Sequence, residues 1–185
     1  MKFICFLIAM MIAAASARAD DITAMITQYR REHGLPAVKT DPKLTAIAER
    51  QAQAMASSGI MDHDVAGSFA SRISGANVVT GAENIAAGTK TWADTLRMWK
   101  ESPGHNHNLL TPGADLLGVA VARNENTHYK VYWAMVIGRR DLKRKPGTAA
   151  SSAGRGAHAA RDAGAESSVG EWVDHTITSI KNLLP

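Results

Sequence analysis

The nine residues from Tyr129 to Ile137 restrict the fold of this chain more than any other stretch, because they are apolar on both faces of a strand. Side chains alternate along a strand with a period of two. Tyr129, Val131, Trp133, Met135 and Ile137 therefore share one face, while Tyr132, Ala134 and Val136 make the opposite face apolar as well. Both faces must be covered. A second apolar run, Leu116 to Ala122, precedes it across the polar turn Asn124-Glu125-Asn126-Thr127, so the two read as an antiparallel hairpin. Helices on both sides of such a sheet give the expected class: α+β, a three-layer α-β-α sandwich with a small antiparallel sheet.

The first half of the chain supplies the helices. Asp21 caps a first helix with an apolar face of Ile22, Met25, Ile26 and Tyr29, ended by Gly34. Asp41-Pro42 then opens a second, with Leu44, Ile47, Ala48, Gln51, Ala52 and Met55 facing inward and Gly59 closing it. Phe69, Arg72 and Ile73 suggest a short third helix. Thr91 and Asp94 form a capping box that opens a fourth through Trp92, Leu96 and Trp99. Gly81, Gly88, Gly104 and Gly113 read as isolated turn formers, in neither a GxGxxG nor a P-loop arrangement.

The two ends have a different character. Residues 1–19 read as a secretory signal: Lys2, an apolar core from Phe3 to Ala15, and Ala17-Arg18-Ala19 for cleavage. Cys5 falls inside it, so the exported fold stands without disulfides and cysteine nucleophile chemistry is excluded. Residues 20–140 form one domain of ordinary size. Residues 141–168, rich in Ala, Gly and Ser from Pro146 on, read as a flexible linker, and residues 169–185 as an amphipathic helix. Val169, Trp172, Val173, Ile177, Ile180 and Leu184 are its apolar positions, and its expected docking partner is the domain, another protein or a membrane surface. Residues 20–138 carry eleven Lys/Arg against twelve Asp/Glu, whereas residues 139–185 carry eight against five. The basic balance therefore belongs to the tail. Arg139, Arg140, Lys143, Arg144 and Lys145 could meet anionic lipid, polysaccharide or nucleic acid. Export argues against nucleic acid, and the plain reading of the cluster is a solvated entry into the linker.

His63, Glu83 and His105 carry the candidate chemistry. Two imidazoles and a carboxylate suit a zinc ion with one position open, or the movement of a proton. Gaps of twenty and twenty-two residues match no local zinc motif, so only tertiary structure can bring the three together. Six blocks frame them: AQAMASSGIMDHD, FASRI, GAENIAAG, WKESPGHNHNLL, LLGVAVA and YWAMVIG. In this order they resemble the bacterial branch of the CAP superfamily, which includes cysteine-rich secretory proteins, antigen-five allergens and pathogenesis-related proteins. The resemblance covers about residues 22–138. It implies the same α-β-α sandwich and a cavity of histidines and acids that binds zinc or another divalent cation in some members. It places His63 and His105 as the metal-binding histidines and Glu83 as the acidic member of the cavity. Ser102 stands where the eukaryotic pattern has a second glutamate; Glu101 is one residue early, rotated by about 100° on a helix.

That substitution weakens the case for a catalytic centre. The leading expectation is an exported binding or interaction module, periplasmic or secreted, whose cavity takes a divalent cation or a small ligand. An envelope or extracellular ligand, with lipid among the classes the family suggests, is the expected partner. The alternative is a metal-assisted hydrolase of peptide or cell-envelope material in which Glu83 is the catalytic base. A third reading makes the cavity a polar network that holds loops together. A serine hydrolase is set aside, because Ser102 lacks a nucleophile elbow and an ordered His-Asp partner pair.

Overall fold

The computed structural model describes residues 21–143. The expected signal at 1–19, the linker beyond Lys143 and the terminal helix at 169–185 lie outside the described residues. The elements in chain order are α1 (residues 21–32), β1 (Lys39–Thr40), α2 (Pro42–Ser58), α3 (Phe69–Ile73) and β2 (Val78–Ala87). They continue with α4 (Trp92–Glu101), α5 (Pro103–Leu109), β3 (Leu116–Arg123) and β4 (Val131–Arg140).

β4 is an inner strand of the sheet, whose order is β1-β3-β4-β2. Every residue from Val131 to Gly138 is buried. Tyr132, Ala134 and Val136 pack with Leu44, Ile47 and Met55 of α2 and with Phe69 and Ile73 of α3. Val131, Trp133, Met135 and Ile137 pack on the other side, with Ile26 of α1, Trp92, Leu96 and Trp99 of α4, and Leu109 of α5. The two faces read from the sequence are thus the two cores, and the molecule is the three-layer α-β-α sandwich. β3 and β4 form the antiparallel hairpin, with Leu116 opposite Gly138 and Arg123 opposite Val131. β4 starts two residues later than Tyr129, because Lys130 takes a left-handed φ of 63° that breaks the ladder.

The caps follow the local chemistry. Asp41 accepts from the backbone N–H groups of Lys43 and Leu44, and Gly59 closes α2 at φ 73°. Thr91 accepts from the Asp94 backbone N–H at the start of α4.

Three expectations need correction, and one strand has no counterpart among them: GAENIAA lies in β2 and pairs antiparallel with β4, so that Glu83 lies opposite Val136. Its polar Thr80, Glu83 and Asn84 hide the apolar alternation. Gly81 lies inside that strand, where a Cβ would run into Ile73 Cδ1, and Gly104 lies inside α5; among these glycines only Gly88 and Gly113 take the positive φ of turns. The sheet also gains a two-residue parallel edge, β1 on β3, so it is mixed. In α1, Met25 faces outward and Arg30 faces in. The Arg30 guanidinium donates to the carbonyls of Pro36, Leu109, Thr111 and Ala114 at 2.8–3.2 Å, tying α1 to the loop after α5. Backbone carbonyls compensate this buried charge in place of a carboxylate, and burial lowers its pKa.

Candidate functional site

Glu83 projects from β2 toward the α2/α3 layer with its side chain 2% exposed. A carboxylate buried this deeply is costly unless it is paired and hydrogen-bonded. Arg72 supplies the pairing. Its guanidinium forks onto the carboxylate, Nη1 to Oε2 at 2.6 Å and Nη2 to Oε1 at 2.9 Å. The same group donates through Nε to Gly67 O and through Nη2 to His63 O, both at 2.8 Å, and sits 5.5 Å from the Phe69 ring centroid. One side chain thus fastens the loop carrying His63 to the strand carrying Glu83.

His63 lies five residues beyond the end of α2, in a run of turns. The buried amide of Gln51 donates to Asp62 O at 2.7 Å and holds the loop from below. His63 Nδ1 donates to Glu83 Oε1 at 2.8 Å. A carboxylate only accepts, so this hydrogen bond places a proton on Nδ1 and, in the neutral ring, leaves the lone pair on Nε2.

His105 approaches from the other layer. It sits in the first turn of α5, rather than at the end of a helix, and Ser102 is the residue preceding that turn. Ser102 Oγ and His105 Nδ1 are hydrogen-bonded at 2.9 Å, and the ring lies tilted on Trp99 with centroids 6.3 Å apart. The Ser102 hydroxyl can donate or accept, so this bond orients the ring and leaves Nε2 outside it. Burial, and secondarily the charge of His63, push the His105 pKa down to about 4. Glu101 points away, exposed and paired with Arg97 at 3.3 Å.

The two layers meet across β2 because it is an edge strand. Asn108 Nδ2 donates to Glu83 O at 3.0 Å, and Trp99 Nε1 donates to Ile85 O at 3.2 Å. These side chains take the place of a fifth strand and blunt the edge. Asn84, whose side chain points to the opposite face from Glu83, donates to His105 O at 3.0 Å and accepts from Asn108 Nδ2 at 2.9 Å. The backbones of Glu83 and His105 are thereby joined through two asparagines.

Sequence reasoning found the three titratable residues and Ser102 but gave no role to Arg72, Asn84, Asn108 or Gln51. A signal for Arg72 was present: it shares the inward face of a short helix with Phe69 and Ile73, and a cation facing a core requires buried acceptors, a carboxylate here and backbone carbonyls at Arg30.

The ring nitrogens left outside these hydrogen bonds are the Nε2 atoms of His63 and His105. Glu83 does not join them, since its oxygens already accept three N–H bonds. Among the described residues no group of three or more His, Cys, Asp or Glu is placed to hold a metal ion. No described helix is long and apolar enough to cross a membrane.

Comparison with known proteins adds independent findings. The profile of the cysteine-rich secretory protein (CAP) family matches residues 23–137. The uncharacterised protein YkwD of Bacillus subtilis is 28% identical over 116 residues, 58% of this chain and 43% of its own. This chain thus matches less than half the length of that relative. An extracellular SCP-domain protein from Bacillus anthracis superposes with a TM-score of 0.58 at 23% identity, over 68% of this chain and 41% of that one. An outer surface protein of Borrelia burgdorferi gives 0.59 at 18% identity, over 65% and 91%. A cysteine-rich secretory protein of Staphylococcus aureus gives 0.54 at 18%, over 68% and 39%.

Proposed function

We propose, on the premise that this chain belongs to the CAP family of cysteine-rich secretory proteins, that it is an exported binding module whose cavity takes a ligand on two imidazole nitrogens. The observation that carries this reading is the closed Arg72–Glu83–His63 array. A hydrolytic base must be free to accept a proton, and Glu83 spends both oxygens on Arg72 and His63. Hydrolysis with Glu83 as catalytic base would require that array to open first. Export is supported by the signal-like sequence of residues 1–19 and by the extracellular, outer-surface and secretory names of the structural relatives.

The chemistry of the donors narrows the ligand. Two neutral imidazoles suit zinc or a similar borderline ion, whereas calcium and magnesium prefer oxygen. When bound, such an ion supplies a positive centre for a small polar ligand. His63 and His105 hold it through Nε2, and Glu83 and Ser102 orient the rings through Nδ1, the outer-shell arrangement that tunes such ligands. Two protein ligands without a carboxylate give modest affinity.

Calorimetric titration of the purified protein with zinc at neutral pH tests this. Weak zinc binding is expected in the parent, with no response to calcium, and His63→Ala and His105→Ala should each abolish it. Binding that survives either substitution would overturn the assignment.

A further inference from the structure

One end of the sheet gathers exposed cations around exposed apolar side chains, and we propose that this end docks the protein on an anionic lipid surface. β1, β2 and β3 begin there and β4 ends there. The register sets Lys39 beside Leu116 and Leu116 beside Gly138, so Lys39 stands two strands from the Gly138-Arg139-Arg140 terminus of β4. Lys43, in the first turn of α2, reaches Gly75 O at 3.5 Å, just before β2. Asp141 N donates to Asn77 O at 2.9 Å and brings Leu142 and Lys143 to the same end. Lys39, Lys43, Arg139, Arg140 and Lys143 are all exposed.

The acids at this end are turned onto backbone. Asp41 Oδ1 accepts from Lys43 N and Leu44 N, Asp115 Oδ1 from Arg140 N, and Asp141 Oδ1 from Lys143 N, at 2.8–3.1 Å. Only Asp115 also meets a cation of the group, with Oδ2 3.6 Å from Arg140 Nε. Five cations against these three acids leave this end with a net positive charge. The cluster Arg139, Arg140, Lys143, Arg144 and Lys145 reads from the sequence as a solvated entry into a linker; strand register makes its described members part of a surface shared with β1 and α2.

The apolar side chains select the partner. Leu142 is 88% exposed between Arg140 and Lys143. Val79, 38% exposed, falls at the irregularity between the pairs Val78–Arg140 and Thr80–Arg139. A soluble polyanion would engage the cations and leave Leu142 and Val79 in water. At a membrane interface the cations meet headgroup phosphates while those two side chains enter the acyl boundary. Contact is with the surface, and no lipid molecule is extracted. The patch shares no residue with the site of His63, Glu83 and His105.

Co-sedimentation of the full chain with vesicles tests the proposal. Binding is expected to mixed phosphatidylglycerol–phosphatidylcholine vesicles, with little to phosphatidylcholine alone and a decline as salt rises. Combining Arg139→Gln, Arg140→Gln and Lys143→Gln should weaken it roughly a hundredfold, about fivefold per charge, with an unchanged melting temperature because these side chains are exposed. Leu142→Ser should weaken vesicle binding severalfold and leave binding to dextran sulfate unaltered. Three results would each overturn the proposal: no binding to the anionic vesicles, undiminished binding by the folded triple variant, or a Leu142→Ser variant that binds vesicles as the parent does. The last would reassign the patch to a soluble polyanion.

Discussion

Glu83 takes its role from Arg72. An acid between two histidines in sequence order suggests a ligand or a base, and the residue types alone leave both open. The guanidinium forks onto both oxygens at 2.6 and 2.9 Å in a region where each partner's side chain is 2% exposed. Removing one member of such a pair strands the other charge. Arg72→Met is therefore expected to destabilise the protein by about 3–5 kcal/mol, measured by urea denaturation at neutral pH. Adding Glu83→Gln to that variant should restore part of the loss, because the stranded charge is gone. A cost under about 1 kcal/mol for Arg72→Met, the range of exposed pairs, would refute the buried-pair account. The inward position of Arg72 was legible from its helical spacing beside Phe69 and Ile73. Its partner was not, since eleven residues and a change of element separate the two.

Among the elements, α2 and β2 mark the two extremes of legibility. α2 carries its own instructions: an Asp41 cap, Pro42 at its start, an apolar stripe and Gly59 at its end. β2 carries almost none. Its Glu83 and Asn84 are unfavourable in a buried strand until Arg72 and His63 satisfy one and Asn108 the other, and those partners come from α3, the loop after α2, and α5. Close packing between elements also separates two glycines of similar appearance. A Cβ on Gly118 would collide with the backbone of Leu44 and Thr45 at the start of α2, which cannot rotate away. A Cβ on Gly81 clashes with the tip of the Ile73 side chain and meets the Ile137 carbonyl at an ordinary contact distance. Gly118→Ala should cost at least the upper end of the about 1–3 kcal/mol typical of overpacking, and Gly81→Ala the lower end. Paired denaturation curves check this, and the reverse ranking would show that α2 can shift as a body.

At the scale of the whole molecule, the sheet divides two cores and the site bridges them past an edge, so its histidines report on the integrity of both layers. His105 is held neutral by burial, with its pKa pushed down to about 4 against 6.5 in the unfolded chain. Between those values the unfolded chain binds a proton that the folded chain refuses. This contribution to stability is present above about pH 6.5 and is lost as pH falls toward 4. Metal-free protein should therefore lose stability across that window, and His105→Gln should lose less. Urea midpoints at pH 7 and pH 4.5 measure the difference, and parallel slopes for parent and variant would count against burial as the cause. By itself the sequence determined the caps, the helix at 42–58, the two apolar faces of β4 and, through six ordered blocks, the family. Those features depend on neighbours within a turn or along one strand, where covalent geometry fixes who meets whom. Only the tertiary structure decided that Glu83 is locked, that Ser102 holds His105, and that Lys39 and Lys43 join the cations of residues 139–143. Each of these depends on contacts between residues distant in sequence or on the tertiary orientation of the groups. A charged or polar group acquires its function from the specific partner that folding brings within about 3 Å.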